Sequence, residues 1–433
     1  MEEREIQVGL LGLGTVGTGV ASIIKHHQET LSHQIGRKIV IKRALVKDKK
    51  KVRESWLSNL ELTENANDII EDPSIEAVIE VMGGIEETRL LVERALKEKK
   101  HVITANKDLM AEHGSTLLQM ANEQKCDLFY EASVAGGIPI IRTISEGLSA
   151  DKLTKIMGIV NGTTNYMLTK MSANNRTFDD VLLEAQELGY AEADPTADVD
   201  GIDAARKMAI LSSLAFSSPV QIEDVSVKGI RQVSDVDLAF CQQLGYTMKL
   251  IGVAQKDEGQ IEVRVEPTLL PNAHPLANVH NEFNAVLVHG EAVGETMFYG
   301  PGAGSLPTAT AVVSDLVAVM KNMQRRVNGY SYQTPLFQST FKTEDEIQSQ
   351  YFIRLHVYDR AGTFAAVTNL FAQHDVSFEK LLQLPLENQT ELAEIVLVTH
   401  SSSVAIIKKI LIALNQLSAV DKVASYYRVE GGE

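Results

Sequence analysis

Between Ala191 and Met208 the chain reads AEADPTADVDGIDAARKM, which sets Glu192, Asp194, Asp198, Asp200 and Asp203 close together and follows them with Arg206 and Lys207. Carboxylates at this density can bind a metal, hold an ammonium group or simply face water. A calcium loop of the EF-hand kind does not fit. Begun at Asp194 it puts Thr196 at the third position, and begun at Asp198 it puts Ile202 and Asp203 where an acid or amide and then a glycine are required. Asp200-Gly201-Ile202-Asp203 reads instead as a helix start, with Asp200 as N-cap and Asp203 in the first turn, and Asp194 reads as a solvated loop acid. Lys207 lies four residues beyond Asp203 and therefore on the same helix face. Its neighbours Ala204, Ala205, Met208, Ala209, Ile210 and Leu211 predict a largely buried helix, where a lysine is costly without carboxylate partners. Two readings follow. Lys207 is either half of a buried ion pair, or a proton donor whose pKa burial lowers and neighbouring acids raise.

A second stretch able to do chemistry is VGLLGLGTVGTGV, where Gly12, Gly14 and Gly17 follow an apolar strand and open a helix. The first glycine permits the tight turn, the second lets pyrophosphate approach the backbone, and the third lets helix and strand pack. This predicts a dinucleotide site. The next strand, IVIKRALV, runs into Lys47, Asp48, Lys49, Lys50 and Lys51. Cations there suit a 2′-phosphate and favour NADP(H); Asp48 keeps NAD(H) as the alternative, and a solvated turn as the structural one. Ligands on open α/β sheets sit beyond the carboxyl ends of the strands, which directs attention to Gly83-Gly84, to Ala105-Asn106-Lys107 and to 131–139. Lys107 then lies at the cofactor's edge, unless it is only an exposed charge.

The elements that must position these residues alternate, strand then helix, through the first 140 residues, as in a parallel sheet covered on both faces. The expected helices lie near 15–30, 86–99 and 108–124, and CDLFYEAS is expected as a strand. Longer strands dominate 141–305, a second, sheet-containing region of α+β type. A helix is expected over 306–330, and 331–349 reads as a linker. Residues 350–433 follow a βαββαβ order that suits a small independently folding module. At 433 residues the chain exceeds one hydrophobic core. Its net charge of −16 argues against nucleic acid or anionic membrane as partners. Two cysteines, Cys126 and Cys241, suggest neither disulfide nor zinc, and a reducing cytoplasm fits. The apolar run near the N-terminus is too short to span a bilayer and lacks signal-peptide order, so the chain reads as mature from its start.

These motifs together resemble homoserine dehydrogenase, in the form with a C-terminal ACT domain. The resemblance is carried by GLGTVG (12–17), TANK (104–107), YEASVAGGIP (130–139), NGTTNY (161–166), ELGYAEADPTADVDGIDAARK (187–207) and YGPGAG (299–304). It implies reversible NAD(P)H-dependent reduction of L-aspartate 4-semialdehyde to L-homoserine. By position, Lys207 resembles the proton donor and Lys107 a second lysine near nicotinamide and reacting carbonyl. Glu192 resembles the ligand of the substrate amine; Asp198 and Asp203 would order substrate and lysine, and Tyr190, Gly162 and Thr163 would line the pocket. Leu13, Gly14, Thr15 and Val16 match the pyrophosphate loop and Gly302 and Gly304 the approach to nicotinamide; the resemblance further implies that 141–305 is a substrate-binding and dimerisation domain and that the helix over 306–330 returns to the nucleotide-binding domain. Glu131, Val134, Gly136 and Ile138 match a monovalent-cation site, for sodium, built largely of backbone carbonyls.

The tail VYDRAGTFAAV (357–367) resembles an ACT ligand loop, implying threonine as effector and pairing of copies into a homodimer or homotetramer; a tail that only dimerises is the competing reading. An aspartate-semialdehyde dehydrogenase would need a cysteine nucleophile, and neither cysteine lies at a glycine-rich loop. A 2-hydroxy acid dehydrogenase would need a histidine paired with an acid, and the motif loops hold no histidine. A non-catalytic amino-acid sensor on a dehydrogenase scaffold would lack Lys207 or Glu192.

Overall fold

The computed structural model describes residues 5–174, 176–329, 337–338, 340–386 and 391–431. They form two compact units, Met1–Thr154 with Arg206–Asp224 and Asn284–Gln338, and Lys155–Ala205 with Val225–Phe283 and Ser339–Glu433. The units therefore cut across the consecutive segments read from the sequence.

In the first unit six parallel strands lie in the order β3-β2-β1-β4-β5-β6. They are β1 Ile6–Leu11, β2 Ile39–Leu45, β3 Glu61–Thr63, β4 Ile75–Glu80, β5 His101–Thr104 and β6 Leu128–Phe129. This is the doubly wound order of dinucleotide-binding folds. β1, β4 and β5 are buried along nearly their whole length because helices cover both faces. The connecting helices include α1 Thr15–His26, α2 Glu86–Lys97 and α3 Lys107–Glu123. The helix expected to run to residue 30 breaks at His27, and a separate one, Gln28–Ile35, ends at Gly36 in the left-handed region. The strand expected over CDLFYEAS is only two residues long. Past it the main chain leaves the ladder, and the Glu131 N–H donates to the carboxylate of Asp315 at 2.9 Å.

A long helix, Ser305–Arg325, packs along α1. A Cβ on Gly19 would stand 2.6 Å from the Ser305 carbonyl oxygen, so the close crossing of these helices requires glycine there.

The second unit is organised by a sheet in the order β7-β8-β9-β13-β10-β12-β11. Its strands are β7 Leu153–Ile159, β8 Tyr246–Asp257, β9 Gln260–Pro271, β10 Gln348–Tyr358, β11 Phe378–Pro385, β12 Leu392–Thr399 and β13 Val420–Val429. Helices α4 Gly162–Asn174 and α6 Asp235–Gln243 accompany it, and α5, Ile202–Phe216, begins in this unit and ends in the first.

The βαββαβ order of the tail is present, but the tail is not a detached module. Its last strand, β13, pairs with β10 antiparallel and with β9 in parallel at Thr268–Arg428 and Leu269–Val429. Charged side chains reinforce that seam. Arg264 of β9, almost wholly buried, pairs with Glu262, Glu266 and Glu430. Arg428 pairs with Glu262 at 2.7 Å and Glu266 at 2.9 Å. Arg354 of β10 reaches Asp237 of α6 at 2.7 Å and Glu394 of β12 at 2.7 Å.

Of the expected linker, residues 331–336 and 339 lie outside the described residues. Further along it, Thr340 and Phe341 pair with Gln260 and Ile261 of β9.

Candidate active site

The glycine-rich turn has the geometry its spacing predicts. Gly12 takes a φ of 102°, and a Cβ on it would lie 2.9 Å from the carbonyl oxygen of Val81. Gly14 has open space where a Cβ would point, and a Cβ on Gly17 would fall 2.1 Å from the Gly12 oxygen. The turn is thus tight on its sheet side and open on its outer side, as an approaching pyrophosphate needs. Leu13 and Val16 anchor the turn in the core, while Gly14 and Thr15 stay exposed. Ser305 Oγ donates to the Thr15 carbonyl at 2.7 Å, which joins the long helix to this turn.

The cationic run after β2 is a closed turn. Asp48 Oδ1 accepts the Lys50 N–H at 2.7 Å, and the Arg53 guanidinium donates to the carbonyls of Lys51 and Asp48, both at 2.9 Å. Lys47, the first residue of that turn, is exposed.

Lys107 is the first residue of α3, and a buried network sets its position. Glu80, fully buried at the end of β4, accepts Thr104 Oγ1 at 2.5 Å and the N–H groups of Met82 at 2.8 Å and Gly83 at 3.2 Å. Burial raises the Glu80 pKa, and these donors oppose the rise. Asn106 caps α3 by accepting the Leu109 N–H at 3.0 Å, while its Nδ2 donates to the Gly84 carbonyl at 2.6 Å. The Gly83-Gly84 turn and the start of α3 are therefore built together. Helix α5 is tied to the same place: Arg206 pairs with Asp108 at 3.2 Å. Lys107 and Lys207 are each the chain neighbour of one member of that ion pair. Lys207 is half-buried, less enclosed than its apolar neighbours suggested, because only part of that face of α5 meets the core.

In the second unit the acidic motif converges on the NGTTNY turn. Asn161 Nδ2 donates to Asp198 Oδ1 at 2.7 Å and to Asp203 Oδ2 at 2.9 Å, while its Oδ1 accepts the Thr164 N–H at 2.9 Å and so caps α4. Gly162 and Thr163 begin that helix. Thr163 Oγ1 donates to the Tyr190 carbonyl at 2.6 Å, and the Tyr190 ring rests on that of Tyr166 with centroids 4.8 Å apart. Asp203 is buried, Asp198 half-buried, and Glu192 exposed on the loop above.

Two local readings change. Asp200 is not the N-cap of α5: it closes the short helical turn Thr196–Val199 and pairs with Arg231 at 2.5 Å, leaving Gly201 at φ 83° to enter α5. Asp194 is more than a solvated acid, since its Oδ1 accepts the Thr196 N–H at 3.1 Å, which holds its pKa down together with the Thr196 hydroxyl.

The loop 131–138 bends through two consecutive left-handed residues, Ala135 at φ 54° and Gly136 at φ 55°. A Cβ on Gly136 would stand 2.3 Å from the Gly302 oxygen, and the Gly137 N–H donates to the Pro301 carbonyl at 3.2 Å, so this loop interlocks with the 299–304 turn. Gly304, at φ 121°, leads from there into the long helix. The Glu131 carboxylate accepts the N–H groups of Ile141 at 2.7 Å and Arg142 at 2.9 Å. Among the described residues no group of three His, Cys, Asp or Glu side chains could hold a metal ion. A cation in this loop would rest on main-chain oxygens, a donor set that suits an alkali ion.

Asn161 and Asn106 organise these turns, yet the sequence reading assigned neither. The signal available was their place one residue before a helix start, inside the quoted motifs.

Comparison with known proteins settles the family. Residues 12–131 match the family model described as homoserine dehydrogenase, NAD binding domain, residues 139–317 that described as homoserine dehydrogenase, and residues 351–419 the ACT domain. A homoserine dehydrogenase of Bacillus subtilis (strain 168) is 59% identical over 428 residues, spanning 99% of each chain. The chain belongs to the homoserine dehydrogenase family. It is an oxidoreductase acting on a CH–OH group, with a nicotinamide-nucleotide-binding domain and a C-terminal ACT domain. A homoserine dehydrogenase crystal structure from Thiobacillus denitrificans superposes with a TM-score of 0.93 at 41% identity, covering 99% of this chain and 98% of that one. A hyperthermophilic archaeal homoserine dehydrogenase in complex with NADPH superposes at 0.64 with 27% identity, covering 73% of this chain and 98% of that one.

Proposed function

We propose that this family member reduces L-aspartate 4-semialdehyde to L-homoserine with NADPH, reversibly, on the route to threonine, methionine and isoleucine in the cytoplasm. The bound nicotinamide nucleotide supplies the hydride. As hydride reaches the aldehyde carbon, negative charge builds on its oxygen and calls for a cationic proton donor held in place beforehand. Lys207 gives that proton and takes it back in the reverse direction, with Lys107 as a second cation beside the reacting oxygen. Glu192 and Asp198 receive the substrate ammonium, Asp203 orders Lys207 from one turn earlier in α5, and Gly162, Thr163 and Tyr190 line the amino-acid end. The observation that carries this reading is the Arg206–Asp108 pair, which ties the turn of α5 bearing Lys207 to the first turn of α3, where Lys107 stands at the carboxyl edge of the nucleotide-binding sheet.

Gly12 to Gly17, with Leu13, Thr15 and Val16, receive the pyrophosphate, and Gly302 and Gly304 border the nicotinamide. The NADPH preference rests on Lys47 and on Asp48, whose carboxylate caps its own turn. The carbonyls of Glu131, Val134, Gly136 and Ile138 hold a sodium ion that stiffens the loop interlocked with 299–304. The ACT domain receives threonine at Gly362, which at φ 91° admits a ligand to the start of the helix Thr363–Ala372, and the chain assembles as a homodimer or homotetramer.

Semialdehyde reduction followed with NADPH and NADH in parallel, with and without threonine, tests this. Turnover with NADPH exceeding that with NADH, and inhibition by threonine, are expected. Equal rates with both nucleotides would remove the role given to Lys47, and indifference to threonine the role given to the ACT domain.

A further inference from the structure

Lys249 of β8 is 1% exposed, among the largest fully buried side chains of the chain. Its Nζ donates to the Val279 carbonyl at 2.5 Å and to Asn165 Oδ1 at 3.1 Å, both neutral acceptors. Burial alone pulls its pKa down to about 8. An apolar side chain of similar length would fill the same space without that desolvation. The ammonium therefore does something a methionine would not.

It fixes which way the Asn165 amide faces. With Oδ1 turned to Lys249, Asn165 Nδ2 faces three carbonyls, those of Val279, Asn281 and Phe283, at 3.2, 2.8 and 3.1 Å. Asn281 takes a left-handed φ of 56°, and its N–H donates to Thr169 Oγ1 at 3.1 Å. The segment 279–283 is thus drawn onto α4 at several points. Its Glu282 carbonyl oxygen lies so close to Gly162 that a Cβ there would stand only 2.6 Å away. One buried cation consequently sets the height of a strap whose far side presses on the Gly162–Thr163 turn.

We propose that Lys249 and Asn165 are positioning residues for the substrate, holding the 279–283 strap against the Gly162–Thr163 turn so that the turn is shaped before homoserine arrives. The proposal rests on the reading of that turn as a substrate contact.

The test uses the full chain and steady-state homoserine oxidation, with each substrate varied at saturation of the other and thermal unfolding measured alongside. Lys249→Met and Asn165→Ala are expected to raise the homoserine KM about tenfold while leaving the NADP+ KM within about twofold, the signature of lost binding rather than lost chemistry. The double variant should be no worse than either single one, because the two residues act as one device. Lys100→Met is the control: Lys100 is also buried and donates to the carbonyls of Asp72 and Ile75 at 2.7 and 2.9 Å, but in the other unit. It should unfold earlier and keep both KM values. If Lys249→Met does not fold, Asn165→Ala and Thr169→Val carry the same expectation. An unmoved homoserine KM in the folded variants, or an equal rise in Lys100→Met, overturns the proposal. A wild-type chain that does not oxidise homoserine would remove the substrate reading and the strap with it, whereas normal wild-type turnover with unmoved variants removes the strap alone.

Discussion

Lys207 and Lys107 invite the most direct intervention because they differ in how much each should matter. If the developing oxyanion takes its proton from Lys207 as proposed, kcat of Lys207→Ala is expected to fall roughly 10²- to 10⁴-fold. NADPH affinity, measured by fluorescence titration, should stay close to wild type; a variant with full turnover would end the proton-donor assignment. Lys207 could be noticed in the sequence because a lysine four residues after an aspartate on an apolar helix face is locally anomalous. Asn161 could not be recognised that way. Beyond capping α4, its amide matters because Asp198 and Asp203, thirty-seven and forty-two positions further along, return to it. The roles proposed for Lys249 and Asn165 were hidden for the same reason: a lysine in a strand carries no mark of what its ammonium will meet.

Among the elements, the joint between β4, β5 and α3 holds the nucleotide side of the site together, and the buried Asn106 is its point of failure. Asn106→Ala removes both the cap on α3 and the bond to the Gly84 carbonyl. It should cost about 1–2 kcal/mol in urea unfolding and weaken nucleotide binding, because the Gly83-Gly84 turn loses its tie to the helix that presents Lys107. A stability loss with unchanged nucleotide affinity would separate the cap from the site. Element types were legible in the alternation of apolar runs, and so was the glycine turn between β1 and α1. Less legible were the break at His27 and the shortness of β6; the second of these depends on a distant acceptor, Asp315, claiming a backbone N–H that the strand would otherwise use.

Across the whole molecule the tail and the catalytic sheet share one fabric, and Glu430 is one of its fasteners. Burial would raise the Glu430 pKa, but the charges of Arg264 and Lys155 outweigh it and hold the carboxyl at about 2, against an ordinary 4.5. A depressed carboxylate stabilises the fold above its unfolded pKa and loses that contribution as pH falls through the folded one. Glu430 should therefore contribute about 3 kcal/mol above pH 4.5 and lose it between there and about pH 2. Unfolding midpoints of Glu430→Gln measured from pH 7 downward should start lower than wild type and converge with it in acid; parallel curves would contradict the pairing. Cutting the chain near residue 345 should yield an unstable protein rather than a merely desensitised one, since β9 loses β13 and Arg264 loses Glu430; a soluble fragment with wild-type Tm would refute this. Strand order inside the tail was readable from local pattern, but its continuity with β9 was not, because Thr268 and Arg428 meet only in the folded sheet. That continuity bears on how the chain is made. β13 follows β9 and β10 in the chain, yet its place is between them. Until β13 emerges, β10 waits with that edge unpaired and β9 with its Thr268–Leu269 end unpaired, the rest of that β9 edge being taken by Ser226–Val227 and Thr340–Phe341. The second unit thus completes its sheet only once Val420–Val429 have been synthesised, and its nascent form before then is the stage at which chaperones have most to protect.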